Sequence, residues 1–332
     1  MAKKRCHMTE SEGKVVRVTL EAPENPKGQR LDQLLAQELG DFSRSRLTQW
    51  IKTGFVLVEG RKAKPSAKVF GGETITVEAT LEDQIDDQAQ PLALDLIHTD
   101  PHFFVVNKPA GLVVHPAAGH ADGTMLNALL NLDPDLKQLP RAGIVHRLDK
   151  DTSGLLVVAR TLAAHSSLVR QLEARAVTRE YWTMVYGALV SGDTVDLPLG
   201  RHPVDRKRVA VCDDGKPAIT HYRLLRRFMS FTELTVKLET GRTHQIRVHL
   251  SHQRWPIVGD QIYGGRFRPP AGASENLLDV LRGHRRQALH ARCLAFDHPQ
   301  TSERVSFEAP LPDDLSRLSQ AVAADPSQQV DG

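Results

Sequence analysis

Between the apolar pairs Ile144-Val145 and Leu155-Leu156 the chain places His146, Arg147, Asp149, Lys150, Asp151, Thr152 and Ser153, interrupted only by Leu148 and closed by Gly154. A polar loop carried between two apolar strands is rigidly supported, which is where catalytic groups tend to sit. A solvated turn of ion pairs fits the composition equally well. His244, His249 and His252 invite a metal reading, but spacings of five and three are not the i, i+4 of a zinc-binding helix and no cysteine pair accompanies them. No metal is expected, and a surface or RNA-facing position suits these histidines better. GxGxxG and GxxxxGK[ST] are both absent, and HRLD differs from a kinase HRD loop by Leu148, so dinucleotide, ATP and phosphoryl-transfer chemistry have no support.

The elements that must hold this loop can be read from periodicity. One strand enters at Gly143 and a second leaves at Gly154. Phe103 to Asn107, Tyr181 to Tyr186 and the alternating run Leu234 to Glu239 read as further strands, and Leu168, Val169, Leu172 and Ala176 form an apolar helical face. After the alternating strand, Gly241 permits a turn and Thr243 could cap a helix from Gln245 to His252, from which Arg247 would project. Strands and helices mix without a regular βαβ rhythm, so an α+β fold is expected. Ahead of it, residues 14–80 read as a compact module. Leu31, Leu34, Leu35 and Leu39 repeat at helical spacing, a second helix spans Ser45 to Lys52, and Phe55 to Val58 and Thr74 to Val77 read as strands. Residues 81–91 read as an acidic linker, 92–320 as the larger domain, and 1–13 and 321–332 as flexible tails.

A chain of 332 residues with 40% hydrophobic and 25% charged residues is ordinary for a soluble protein of two or three units. No apolar run approaches the roughly 20 residues that cross a bilayer, and the basic N-terminus lacks the apolar segment of a secretory signal. Cys6, Cys212 and Cys293 are too few and too scattered for a disulfide framework, which suits a reducing cytoplasm. The net charge of +3 is weak evidence for a polyanionic partner, but arginine and lysine gather over residues 201–227 and 282–292.

The string HRLDKDTSGLLVVAR resembles the signature HRLDxxTSGLL of the RluA family of pseudouridine synthases, without departure. By that resemblance Asp149 is the catalytic aspartate and Arg147 the arginine that helps prise the target base from its stack. Asp151 falls on a variable position of the signature. TREYWTMVYG resembles the segment whose tyrosine packs on the target base, here Tyr181, with Arg179 where the family often has lysine. TGRTHQIRVHL resembles the segment whose arginine pairs with the catalytic carboxylate. Arg247, after Ile246, takes that place, with Arg242 as a second candidate. A guanidinium within a few ångströms favours an ionised carboxylate. The resemblance adds His146, Thr152, Ile246 and Arg242 as substrate-binding residues.

Gly28 to Ala79 resembles an S4-type α/β RNA-binding module, which implies Arg44, Arg46, Lys52, Arg61 and Lys62 as phosphate contacts. The implied catalytic fold has a central mixed, largely antiparallel sheet, needs no cofactor, and acts on ribosomal RNA as a monomer. Within the large-subunit branch the likeness extends through THYR, GDQIYGGRFRPP and RQALHA, which implies the helix 69 stem-loop of 23S rRNA as substrate. Other rRNA or tRNA uridines are the neighbouring alternative. A non-catalytic assembly factor and an N-glycosidase are the competing classes. A mere binder needs no aspartate beside an arginine, and a glycosidase would release free uracil.

Overall fold

Leu31, Leu34 and Leu35 fall on one buried face of α1 (Leu31–Glu38), as their spacing predicts, and α2 (Arg44–Thr53) turns Leu47, Trp50 and Ile51 into the same core. The strands of this unit are β1 (Val15–Glu21), β2 (Gln29–Arg30), β3 (Val56–Val58), β4 (Arg61–Lys62), β5 (Lys68–Val69) and β6 (Thr74–Thr80). They form an antiparallel sheet in the order β1-β6-β3-β4 and a short β2-β5 ribbon, with Val56, Ile75 and Val77 closing the core beneath the helices. The computed structural model describes residues 15–25, 27–40, 42, 44–80, 88–116, 120, 122–205, 208–267 and 269–330. The expected N-terminal tail, residues 81–87 of the acidic linker and the Arg44 side chain lie outside the described residues.

Arg46 corrects an expectation. Its side chain is buried and donates from Nη2 to the Gln138 carbonyl of the larger unit at 3.0 Å, instead of facing RNA phosphates. Burial lowers its pKa. Lys52, Arg61 and Lys62 are exposed.

The larger unit is built on β7 (Asp95–Thr99), β8 (Phe103–Lys108), β9 (Ser153–Ala159), β10 (Thr178–Tyr186), β11 (Asp193–Asp196), β12 (Leu199–Arg201), β13 (Val209–Val211), β14 (Ile219–Arg227), β15 (Phe231–Leu238), β16 (Leu289–Asp297) and β17 (Arg304–Glu308). Among the described residues the main sheet runs β11-β14-β15-β10-β16-β9-β8-β7, with β17 on β16 and β12-β13 as a separate hairpin. It is mixed and largely antiparallel, since β9 and β16 alone pair in parallel there. β8 and β9 are buried on both faces, which explains their unbroken apolar sequences. Phe104, Val106, Leu156 and Val158 enter one core, which includes α3 (Met125–Leu132), while Phe103, Val105, Leu155 and Val157 enter another under α4 (Leu162–Glu173). The helix expected after the alternating strand is α5 (Gln245–His252), and α6 (Glu275–Gly283) and α7 (Asp313–Ala324) follow. The α+β class is as expected.

Two further expectations give way. The polar loop is entered by a 3-10 turn, Pro140–Gly143, and a single bridge from Ile144 to Val158, not by a strand. Arg141 and Ala142 are left-handed there, a path that apolar periodicity does not reveal. Residues 321–330 are not a frayed tail. Leu318 and Val322 of α7 are buried, Asp325 accepts hydrogen bonds from the backbone and hydroxyl of Ser274 at the start of α6, and Gln328 binds the Met229 and Ser230 amides at the β14–β15 turn. The apolar face of α7 runs on through Ala321 and Val322, and beyond it the polar, proline-containing sequence hides the docking because its contacts there are specific hydrogen bonds. Ending the chain after residue 320 should therefore destabilise it by about 3 kcal/mol or more, measured as a lower midpoint of thermal or urea unfolding; an unchanged midpoint would contradict the docking.

Candidate active site

The loop from Asp149 to Ser153 is fixed at successive positions. Thr152 N–H donates to the Asp149 carbonyl at 3.1 Å, closing a tight turn. The Lys150 carbonyl accepts from Lys108 Nζ at 2.9 Å and from Gly111 N–H at 3.0 Å, and the Asp151 carbonyl accepts from Arg286 Nη1 at 3.1 Å. Thr152 Oγ1 accepts from Gln287 Nε2 at 3.1 Å, and Ser153 Oγ lies 2.9 Å from His290 Nδ1. Gly154 then enters β9 at φ 113°, where any Cβ would collide with the Ala291 carbonyl oxygen. Lys108 is fully buried, with its Nζ also bonded to the Pro109 and Leu112 carbonyls. Burial pushes its pKa down to about 7 against the opposing charges of Asp151 and Asp149.

On this platform Asp149 Oδ2 accepts from Arg247 Nη1 at 2.9 Å. The opposite edge of the guanidinium is gripped by Asp260, Nε to Oδ2 at 2.7 Å and Nη2 to Oδ1 at 3.0 Å. Asp260 Oδ1 also accepts the Ile262 and Tyr263 amides, both at 2.9 Å. The Asp260 side chain is 0% exposed and that of Arg247 5%, whereas Asp149 keeps 16%, toward a cavity of about 510 Å³. Burial alone would raise the Asp260 pKa, but the Arg247 hydrogen bonds and charge, with the two amides, hold it below the usual carboxylate range. The two carboxylates raise Arg247 despite its burial. A cavity of this size, with one carboxylate facing in and its cation anchored from behind, can hold a nucleotide against an oriented nucleophile.

The structure brings most of the expected residues to this cavity: Arg147, Asp149, Thr152, Tyr181, Ile246 and Arg247 all line it. Tyr181 is buried on β10, and burial, against the charge of Arg179, raises its phenol pKa. Arg147 is exposed at the cavity. His146 also lines it but uses Nε2 to accept the Val157 amide at 3.1 Å, so it binds the loop to β9, and burial lowers its pKa to about 3. Of the two arginines considered for Asp149, Arg247 makes the pair. Arg242 lines the cavity but donates from Nε to the Pro217 carbonyl. Thr243 does not cap α5. The N-cap is His244, left-handed at φ 56°, while Gln245 Oε1 accepts the Arg242 amide to hold the turn.

Of the three histidines, His252 is exposed and His244 lines the cavity, whereas His249 departs from the surface position expected of it. His249 is buried between Thr220 Oγ1 and the Leu197 carbonyl, and His244 sits beside Asp149. Among the described residues no cluster of His, Cys, Asp or Glu could hold a metal, and no helix is long and apolar enough to cross a membrane. Sequence reasoning missed Asp260, Tyr263, His244 and Lys108. The glycines around residues 259–265 mark a turn, but nothing local tells that Asp260 points at an arginine of the preceding helix.

The fold and this site define an RNA pseudouridine synthase, an isomerase, and the chain belongs to that family: residues 102–252 match RNA pseudouridylate synthase and residues 29–75 match the S4 domain. It is 52% identical over 309 residues, 93% of both chains, to the Ribosomal large subunit pseudouridine synthase D of Xanthomonas campestris pv. campestris. It is 55% identical over 295 residues, 89% of this chain and 92% of the other, to the protein of the same name from Pseudomonas aeruginosa. Its structure is similar to Human RNA Pseudouridylate Synthase Domain Containing 1, with a TM-score of 0.52 and 26% identity over 72% of this chain and 99% of that one. Human RNA Pseudouridylate Synthase Domain Containing 4 gives 0.53 and 27% over 68% and 93%.

Asp260→Asn tests the anchor behind Arg247. Removing one partner of a buried ion pair should cost about 3–5 kcal/mol at pH 7. Because the folded-state pKa of Asp260 is depressed, its contribution is present at neutral pH and fades as pH falls below about 4. Wild-type and variant unfolding midpoints should therefore converge in acid; a gap that is small at pH 7, or that widens in acid, would contradict the assignment.

Proposed function

We propose that this enzyme isomerises uridines of 23S rRNA, within the helix 69 stem-loop, using Asp149 as its nucleophile. The observation that carries the reading is the Arg247 guanidinium anchored by buried Asp260 and turned on Asp149 at the wall of a nucleotide-sized cavity. The relatives named for the large ribosomal subunit support the substrate. A base in a stem-loop costs only a few kcal/mol to extrude into such a pocket. Exposed Arg147 fills the space that the base leaves, and Tyr181 stacks on the uracil. The reaction breaks the N1 to C1′ bond, rotates the uracil, joins C5 to C1′, releases the C5 proton to solvent and protonates the freed N1, so that product and substrate have the same composition. Tyr181, a neutral phenol at physiological pH, relays that proton. Arg147, Arg242, Thr152 and Ile246 contact the substrate within the cavity.

The N-terminal unit positions the RNA. Lys52, Arg61 and Lys62 are exposed and contact phosphates without reading sequence. Residues 92–330 form the catalytic domain, the enzyme acts as a cytoplasmic monomer, and no step of the isomerisation calls for a cofactor.

Asp149→Asn should abolish tritium release from C5-labelled uridine in rRNA while leaving RNA affinity within about threefold, because one uncharged isostere removes the nucleophile and few contacts; sustained turnover would refute the assignment. Arg247→Lys should slow turnover by about 100-fold or more, since a lysine has no fork to span Asp149 and Asp260; a normal rate would contradict the pairing.

A further inference from the structure

Asp149 presents two oxygens, and Arg247 occupies only Oδ2. Oδ1 accepts no hydrogen bond from the described residues, but His244 Nε2 stands 3.9 Å from it. His244 reaches this place through a left-handed backbone, φ 56° and ψ 19°, at the start of α5, a conformation that a non-glycine residue holds only where its surroundings enforce it. Its ring is held there by Tyr263, whose hydroxyl lies 2.9 Å from His244 Nδ1. Tyr263 is itself fixed. Its oxygen accepts the Val209 amide of β13 at 3.0 Å, and the guanidiniums of Arg208 and Arg247 each lie 5.1 Å from its ring centre.

Proton accounting then selects one tautomer. Because the Tyr263 oxygen takes the Val209 N–H, its own proton is free to go to His244 Nδ1, which leaves the ring proton on Nε2. The opposite tautomer would strand the phenol proton without an acceptor among the described residues and turn a lone pair on a carboxylate. We propose that His244 is a positioning residue for Asp149, with Tyr263 fixing its tautomer so that Nε2–H faces Oδ1 from 3.9 Å while Arg247 holds Oδ2. The inference rests on the reading of Asp149 as the nucleophile. Burial lowers the His244 pKa, with Asp149 and Asp260 opposing and Arg247 and Arg147 assisting, so the ring is neutral when the enzyme works.

The test combines a spectroscopic and a kinetic reading on the full-length enzyme. In protein labelled with ¹⁵N-histidine, the His244 resonances, assigned by their loss in His244→Gln, should report the Nε2–H tautomer, and Tyr263→Phe should mix the two. An Nδ1–H tautomer in the wild type overturns the proposal. With C5-tritiated 23S rRNA from cells lacking this protein as substrate, His244→Ala should lower kcat by about 10- to 100-fold with KM within about twofold. His244→Gln, which keeps an N–H donor, should recover kcat to within about threefold of wild type. Equal impairment of the two variants, or wild-type kcat in His244→Ala, overturns the proposal. If His244→Ala does not fold, His244→Gln and the Tyr263→Phe tautomer still decide. Asp149→Asn run in parallel separates the two claims: turnover there ends the nucleophile reading, whereas an inactive Asp149→Asn with an unaffected His244→Ala ends this one alone.

Discussion

A guanidinium shared by two carboxylates organises this enzyme. A buried arginine is costly unless its charge and donors are met, and Asp260 meets both through two hydrogen bonds while its Oδ1 also accepts two backbone amides. Only because that edge is settled can the remaining Nη1 be given to Asp149 at the cavity wall. An arginine bound by Asp149 alone would be free to swing with it; one anchored from behind fixes the direction in which the carboxylate faces.

The same logic governs the other side of the pair. Asp149 lies on a loop, and loops are mobile unless their backbone groups are tied down. Here the Asp149 carbonyl is closed by the loop's own Thr152 amide, and the carbonyls of residues 150 and 151 and the side chains of Thr152 and Ser153 have fixed partners supplied by Lys108 and Gly111 at and just beyond the end of β8 and by residues 286–290 before and within β16. Both strands flank β9 in the middle of the sheet, so the core on each face of β8 and β9 holds the loop indirectly. Packing, register and a few hydrogen bonds thus deliver one carboxylate to one place.

Much of this was legible in the sequence and some was not, for definable reasons. Periodicity found α1, α2 and the central strands because burial of one face leaves a repeating apolar pattern, whereas α5 was expected from the turn at Gly241. The polar cluster around Asp149 and its pairing with Arg247 followed from the family signature, which composition alone would have left as one turn among several. Asp260 and His244 escaped because their partners lie across the fold and their neighbours carry no period. Arg46 looked like a surface cation, yet it docks α2 on the Gln138 carbonyl. Residues 321–330 looked like a tail because only Ala321 and Val322 continue the apolar face of α7, and the hydrogen-bonded docking of Asp325 and Gln328 beyond them has no apolar signature.

The central claim is geometric, that a flipped uridine meets Asp149 inside the cavity that Arg247 and Tyr181 line. A structure of the Asp149→Asn enzyme bound to a helix 69 stem-loop RNA tests it most directly. The account predicts the target uracil in that cavity against the Tyr181 ring, its C1′ beside residue 149 and Arg147 in the vacated stack. A target base still stacked in the RNA, or bound away from residues 149 and 247, would contradict it.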